Sequence, residues 1–115
     1  FEGKRMKISL PQTQFINTPS FSGNVYVSSP KEKKFDILRI TCRTRHYKTK
    51  LLTHTRMYFI LKGKGTFTID GKKEKATPND LFVIRKGQIY EYAGKMTLLE
   101  INVPASGKKS EERLD

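Results

Sequence analysis

Residues 56–102 decide the fold, and they read RMYFILKGKGTFTIDGKKEKATPNDLFVIRKGQIYEYAGKMTLLEIN. Short β-rich runs alternate there with turn residues. The pair Asp70-Gly71 supplies the positive φ angles that a tight hairpin turn needs. The Pro-Asn-Asp sequence at 78–80 marks a second turn, because proline fixes φ and the polar side chains bond back to the backbone. The glycines of GKG at 63–65 predict a short loop between two further strands.

The rest of the chain continues this rhythm, which is typical of an all-β sandwich or barrel. Prolines are scattered throughout and argue against long helices. The predicted strands are residues 24–28, 35–43, 55–62, 66–70, 72–76, 81–84, 90–93 and 96–103.

Two of these strands, at 57–61 and 81–84, are apolar on both faces, so both faces should be covered. One candidate cover is the N-terminal arm, through Phe15, Ile16 and Phe21. The other is a second subunit, which would make the protein a homodimer.

The length of 115 residues fits one domain. We expect an N-terminal arm with one short strand at 1–23, a barrel at 24–104, and a charged C-terminal tail at 105–115 that is frayed or forms a short helix. Met6 is a candidate native start, which would make residues 1–5 an addition from an expression vector.

Composition narrows the class of protein. No apolar run approaches the roughly 18 residues that span a bilayer, and the N-terminus lacks the apolar core of a secretory signal. We therefore expect a cytoplasmic protein without membrane contact. Cys42 is the sole cysteine, so an internal disulfide is excluded, and its apolar neighbours predict a small buried side chain.

The formal net charge is +12, from 23 Lys plus Arg against 11 Asp plus Glu. This basic balance favours polyanionic partners. The lysines, however, are spread over several turns, where they also deter edge-to-edge pairing of strands. Aromatic residues do not interleave with them as in RNA-recognition motifs. Nucleic acid is therefore a minor alternative among the partners.

Residues 79–90, NDLFVIRKGQIY, resemble the second motif of small single-domain cupins, the RmlC-like jelly-roll proteins. That motif runs Gly-Asp, a short apolar strand, Pro-x-Gly, two residues and a histidine. Asp80 and Gly87 match it, whereas Tyr90 replaces the histidine. In the first motif Gly63 matches, and Arg56 stands where a glutamate belongs.

The resemblance implies a single cupin-type jelly-roll β-barrel. Cupin histidines and the glutamate bind a divalent metal inside the barrel, and here the ligand positions are substituted. We therefore expect neither a metal nor another cofactor, and metal-dependent oxygenase chemistry is disfavoured. An arginine in place of the glutamate removes an anionic ligand and adds a permanent cation.

If Arg56 takes the place of the glutamate, it points into the barrel, and alternation puts residues 54, 58 and 60 on the same face. Such a pocket would suit a small anionic or carbohydrate-like molecule. Alternatively, Arg56 pairs with Glu100 and fills the site. The basic run at 42–50 is expected to be a loop, with His46 solvated. The ligand-binding candidates are His54, Arg56, Tyr58, Tyr90, Tyr92 and Glu100.

Three functions stay open on the sequence. The first is a metal-free cupin that binds a small anionic or carbohydrate-like molecule. The second is a ligand-free dimerisation or interaction module, with a polyanion as one candidate partner. The third is a metal-independent sugar isomerase or epimerase in which His and Tyr transfer protons.

Overall fold

The computed structural model describes residues 7–107 and 109–115, and strands dominate its regular structure. A 3-10 helix at Leu10–Gln12 precedes them. The strands of the described residues are β1 Gln14–Asn17, β2 Phe21–Val27, β3 Asp36–Cys42, β4 Arg45–Leu51, β5 Thr55–Ile69, β6 Lys72–Ala76, β7 Leu81–Ile84, β8 Ile89–Val103 and β9 Glu111–Arg113. No helix within these residues is long and apolar enough to cross a bilayer.

All strand pairs are antiparallel, and the sheet is organised around β8. The order along one path is β1-β2-β3-β8-β4-β9. The first half of β8 pairs with β4 and its second half with β3, while β5 runs along its other edge and also pairs with β6 and β7. This curled sheet confirms the predicted all-β jelly-roll barrel.

The turn at Asp70-Gly71 is confirmed, with φ angles of 49° and 81°. The loop predicted at 63–65 is wrong, because β5 continues through it. Gly63 has a φ of 91°, and a Cβ there would lie 2.1 Å from the carbonyl oxygen of Lys95. Gly94, with a φ of 123°, allows the same close approach from β8. These glycines therefore allow the backbones of the paired strands β5 and β8 to approach closely, so that both strands bend here without ending.

Strands β4 and β9 lie where the sequence analysis placed other structure, whereas β1 is the one short strand expected in the arm. The basic run at 42–50 is not a loop, because β4 forms there. The C-terminal tail is neither frayed nor helical at Glu111–Arg113, where β9 pairs with β4. In the arm, β1 pairs with β2, which already begins at Phe21, so the sheet extends beyond the barrel bounds of 24–104 that we predicted. The candidate start at Met6 lies outside the described residues.

The strands that we expected to be covered on both faces are buried on the inner face. Tyr58 and Ile60 are fully buried, whereas Leu61 and Leu81 on the outer face are 40% and 56% exposed. Phe15 of the arm is itself 62% exposed. The second subunit, the other candidate cover, stays a prediction. Cys42 is buried, as predicted.

Candidate functional site

Arg56 lies at the centre of a buried polar network, inside the barrel as its position in the cupin motif predicted. Its Nε donates to Oδ1 of Asn102 at 2.6 Å, and its Nη1 donates to the hydroxyl of Tyr90 at 2.7 Å. Its Nη2 donates to Oε1 of Glu111 at 2.7 Å. The carboxylate of Glu100 lies 3.6 Å from Nε. The guanidinium is 4% exposed, so each of its three nitrogens has a protein partner away from solvent.

The register between β5 and β8 explains this arrangement. Arg56 faces Asn102, and Tyr58 faces Glu100, so alternation turns all four side chains to the same side. The Arg56–Glu100 pair weighed in the sequence analysis is therefore present. Burial pushes the pKa of Glu100 up, but the Arg56 guanidinium and the Asn102 amide outweigh burial and hold it below its ordinary value. Glu100 is thus an anion at neutral pH.

A layer of aromatic rings lies next to this network. The Tyr58 and Tyr90 hydroxyls are 2.7 Å apart and share a hydrogen bond. The ring of Tyr92 lies 5.2 Å from that of Tyr58, edge-on. Burial raises the pKa of all three phenols, which therefore stay protonated at neutral pH. The three predicted tyrosines thus come together.

His46 belongs to this site, and the expectation that it is solvated is wrong. It lies on β4 and is 5% exposed, with its ring stacked between Phe21 at 5.2 Å and Tyr92 at 5.1 Å. Its Nδ1 is 2.8 Å from the backbone oxygen of Tyr47. Because a carbonyl can only accept, Nδ1 carries the proton and Nε2 keeps its lone pair in the neutral ring. Burial lowers the pKa of His46, so this neutral form prevails at pH 7.

His54, which immediately precedes β5, is buried as the inward face predicts, at 2% exposure. Its Nδ1 lies 3.3 Å from the Thr53 hydroxyl. Across the part of the chain that the structure describes, Nε2 of His54 and the hydroxyl of Tyr92 have no hydrogen-bond partner. Burial lowers the pKa of His54, and the Arg56 cation lowers it further. His54 is therefore neutral at pH 7.

A cavity of about 310 Å³ opens beside Arg56, and we call it the Arg56 cavity. Of the predicted residues, Arg56 and Glu100 line it, while His54 and the three tyrosines are buried outside its lining. Its polar lining is Gln14, Ser28, Asp36, His46, Tyr47, Arg56, Glu100, Ser106 and Glu111, and its apolar lining is Ile16, Phe21, Val25 and Leu38.

Asp36, which the sequence analysis missed, ties the C-terminal segment to the cavity. Its Oδ2 accepts from the backbone nitrogen of Ser106 at 2.8 Å and from its hydroxyl at 2.7 Å. Its Oδ1 accepts from Asn102. With Glu100 and Glu111, three acidic side chains line the cavity together with the single guanidinium of Arg56. The cavity is thus locally acidic in a protein that is basic overall.

The metal that the cupin resemblance implies does not fit these residues. Arg56 and Tyr90, at two of the expected ligand positions, hydrogen-bond to each other. A guanidinium has no lone pair to offer a cation. Within residues 7–107 and 109–115, no group of three or more His, Cys, Asp or Glu side chains is arranged to hold a metal ion. We therefore assign no role to a metal.

Comparison with solved structures identifies the fold. Pac13, a nucleoside dehydratase, matches with a TM-score of 0.86 at 17% identity, over 96% of this chain and 92% of Pac13. Streptomyces Pac13 carrying a histidine-to-glutamine substitution, with uridine, matches with a TM-score of 0.87 at 16% identity, over 97% and 92% of the two chains. KdgF from a Halomonas species matches with a TM-score of 0.76 at 10% identity, over 90% of this chain and 96% of KdgF.

An RmlC-like cupin from Shewanella frigidimarina matches with a TM-score of 0.74 at 14% identity, over 88% of this chain and 93% of that protein. The chain therefore has the cupin fold, as the motif at 79–90 predicted. No protein-family model matches the sequence, and no curated protein matches it either.

Proposed function

We propose that this protein binds a small, neutral, hydroxylated ring molecule of the nucleoside class in the Arg56 cavity. The proposal rests on the composition of the cavity. The half-buried ring of Tyr47 offers apolar surface for a flat ring, and the acidic side chains offer acceptors for hydroxyl groups. A volume of about 310 Å³ is at the small end of ordinary ligand sites.

The hydrogen bonds of Arg56 favour a carbohydrate-like ligand over an anionic one, the two ligand classes that the sequence left open. An anion would need N–H donors of the guanidinium, and three of the five already donate to Asn102, Tyr90 and Glu111. A ribose, by contrast, needs acceptors for its hydroxyls. The nucleoside class is also what Pac13 acts on, and Pac13 variants with one histidine or one tyrosine exchanged are described with uridine.

Titration of the protein with uridine, followed by NMR, tests this proposal. We expect saturable shifts in the resonances of His46 and Tyr47. Tyr47→Leu should weaken binding about tenfold, because it removes one ring face. Tyr26→Leu is the matched control, since Tyr26 is also partly buried but lies outside the Arg56 cavity. Uridine shifts that stay linear, or equal losses in the two variants, would reject the site.

The second candidate function is proton transfer on the bound molecule, either as isomerisation or epimerisation or as loss of water. It is supported by His46, whose Nδ1 is fixed on a carbonyl and whose neutral Nε2 can accept a proton. Incubating nucleosides that carry a sugar carbonyl in heavy water should introduce deuterium next to that carbonyl. His46→Gln should abolish this exchange while uridine still binds. Equal exchange in both proteins would exclude His46 as the base.

The homodimer and the cytoplasmic location stay predictions. The exposed Leu61, Leu81 and Val83 on the outer sheet face support a second copy as the cover. We expect light scattering to give the mass of a dimer, and Leu81→Lys to give the mass of a monomer. A ligand-free interaction module would show the dimer without any uridine binding, and a polyanion partner would bind with a steep dependence on salt.

A further inference from the structure

Glu111 stands between the solvent and the buried Arg56. Its side chain is 27% exposed, whereas that of Arg56 is 4% exposed. Its Oε1 accepts a 2.7 Å hydrogen bond from Nη2 of Arg56. An incoming phosphate or carboxylate would compete with Glu111 for the donors on this side of the guanidinium. Glu111 therefore holds the position that an anionic group of a ligand would take.

The C-terminal strand holds Glu111 in this position. β9 ends the strand order and pairs with β4, with Leu51 opposite Glu111. Backbone hydrogen bonds continue the pairing on either side of β9, from Leu52 to Ser110 at 2.9 Å and from Leu114 to Lys48 at 2.8 Å. Glu111 thus comes from an ordered strand and meets Arg56 in a fixed geometry.

Side chains next to Glu111 hold the same strand. The guanidinium of Arg113 lies 4.4 Å above the ring of Tyr47, a cation–π contact. The carboxylate of Asp115 pairs with Arg45 and accepts from the backbone nitrogen of Lys48. Moving Glu111 away from Arg56 would therefore break several contacts at once.

We infer that Glu111 is a specificity-determining residue, which excludes anionic molecules from the Arg56 cavity by neutralising Arg56. This inference deepens the proposed function and rests on it. An anion would have to displace one carboxylate and would then lie near those of Asp36 and Glu100. A neutral nucleoside would neither displace a carboxylate nor be repelled by one, so the cavity should bind a nucleoside in preference to its 5′-monophosphate. Selectivity here comes from the repulsion between the carboxylates and an anionic ligand.

The test compares Glu111→Gln with the wild-type protein, using uridine, uridine 5′-monophosphate and inorganic phosphate as probes. Glutamine keeps an acceptor for Nη2 and removes the charge. Wild type should bind uridine and show no saturable phosphate shifts at His46 and Tyr47. Glu111→Gln should bind the monophosphate about ten to a hundred times more tightly than wild type does. Its affinity for uridine should change less than its affinity for the monophosphate.

Glu112→Gln is the matched control, because it removes the same charge from the neighbouring exposed residue, which lies opposite Lys50. It should leave both affinities unchanged. A wild type that binds the monophosphate as tightly as uridine would overturn the inference. So would equal phosphate gains in the two variants, or no gain in Glu111→Gln.

A failure of the proposed function can be distinguished from a failure of the inference about Glu111. If wild type does not bind uridine, the nucleoside proposal fails, whereas a phosphate gain confined to Glu111→Gln still supports the gating role of Glu111. Thermal melts check that each variant is folded. If Glu111→Gln does not fold, Glu111→Ser replaces it under the same criteria, since serine removes the charge and leaves the backbone pairing of β9 intact.

Discussion

The two halves of β5 build opposite kinds of interior. In the second half, Phe67 stacks on Phe82 at 4.2 Å and on Tyr92 at 4.7 Å, in an apolar core. In the first half, Arg56 and Glu100 lie in a network of charged and polar side chains. One strand therefore supplies both a packed core and a candidate site, and the halves should respond differently to substitution.

The difference follows from how each half is stabilised. An apolar core loses free energy in proportion to the contacts removed, because each contact is small and independent. A buried charged network depends on every partner, because one lost partner leaves another charge uncompensated in a low dielectric. We expect graded losses around Phe67 and steep losses around Arg56.

The largest effect is expected for Arg56→Met. It leaves the buried Glu100 without its cation, so we expect a loss of about 3–5 kcal/mol in the free energy of unfolding. Urea denaturation measures this loss. In the Arg56→Met background, Glu100→Gln should restore part of it, because the uncompensated charge is gone. A loss below about 1 kcal/mol, typical of exposed pairs, would show that the network is not buried in solution.

A smaller effect is expected for Phe67→Leu, which removes ring stacking and part of a fully buried volume. We expect a loss of about 2 kcal/mol in the free energy of unfolding. Uridine affinity should stay unchanged, because Phe67 lies outside the Arg56 cavity. Phe15→Leu, at a ring 62% exposed, is the control and should change stability by less than about 0.5 kcal/mol. If Phe67→Leu folds but no longer binds uridine, the two halves of β5 do not differ in function as proposed.

The cupin resemblance together with alternation predicted the inward side chains of the site. The motif positions placed Arg56 and Tyr90 inside, and alternation along β5 then placed Tyr58 on the same face. The same rule failed for His46. Charged residues surround it, and β4 shifts register between His46 and Thr49, so the two-residue period is broken there.

The contacts that Glu111 and Asp36 make at the Arg56 cavity were not predictable from local sequence patterns. Glu111 meets Arg56 across 55 residues of sequence, and Asp36 meets Ser106 across 70. Such contacts depend on the path of the whole sheet. The glycines misled the prediction for a related reason. Gly63 was interpreted as part of a loop. In the structure it lies within β5, where the close approach of the Lys95 carbonyl leaves no room for a side chain.

The smallest effect separates the two halves of β5 by pH, because the buried titrating side chains of His46, His54 and Glu100 lie around the polar half. Burial lowers the pKa of each histidine, so below about pH 6.5 the unfolded chain binds more protons than the folded one. Stability should therefore fall as the pH drops from 6.5 to the folded pKa values, by at most about 1.4 kcal/mol per pH unit for each histidine.

Glu100 acts in a lower window, because the nearby Arg56 holds its pKa below the ordinary value. Its contribution is complete above about pH 4.5 and is lost as the pH falls through the folded pKa. Urea midpoints from pH 8 to pH 3 should thus fall in two steps. His46→Phe, which keeps a ring between Phe21 and Tyr92, should reduce the upper step and leave the lower one. A profile that is flat between pH 7 and pH 5 would mean that both histidines are solvated in the folded protein.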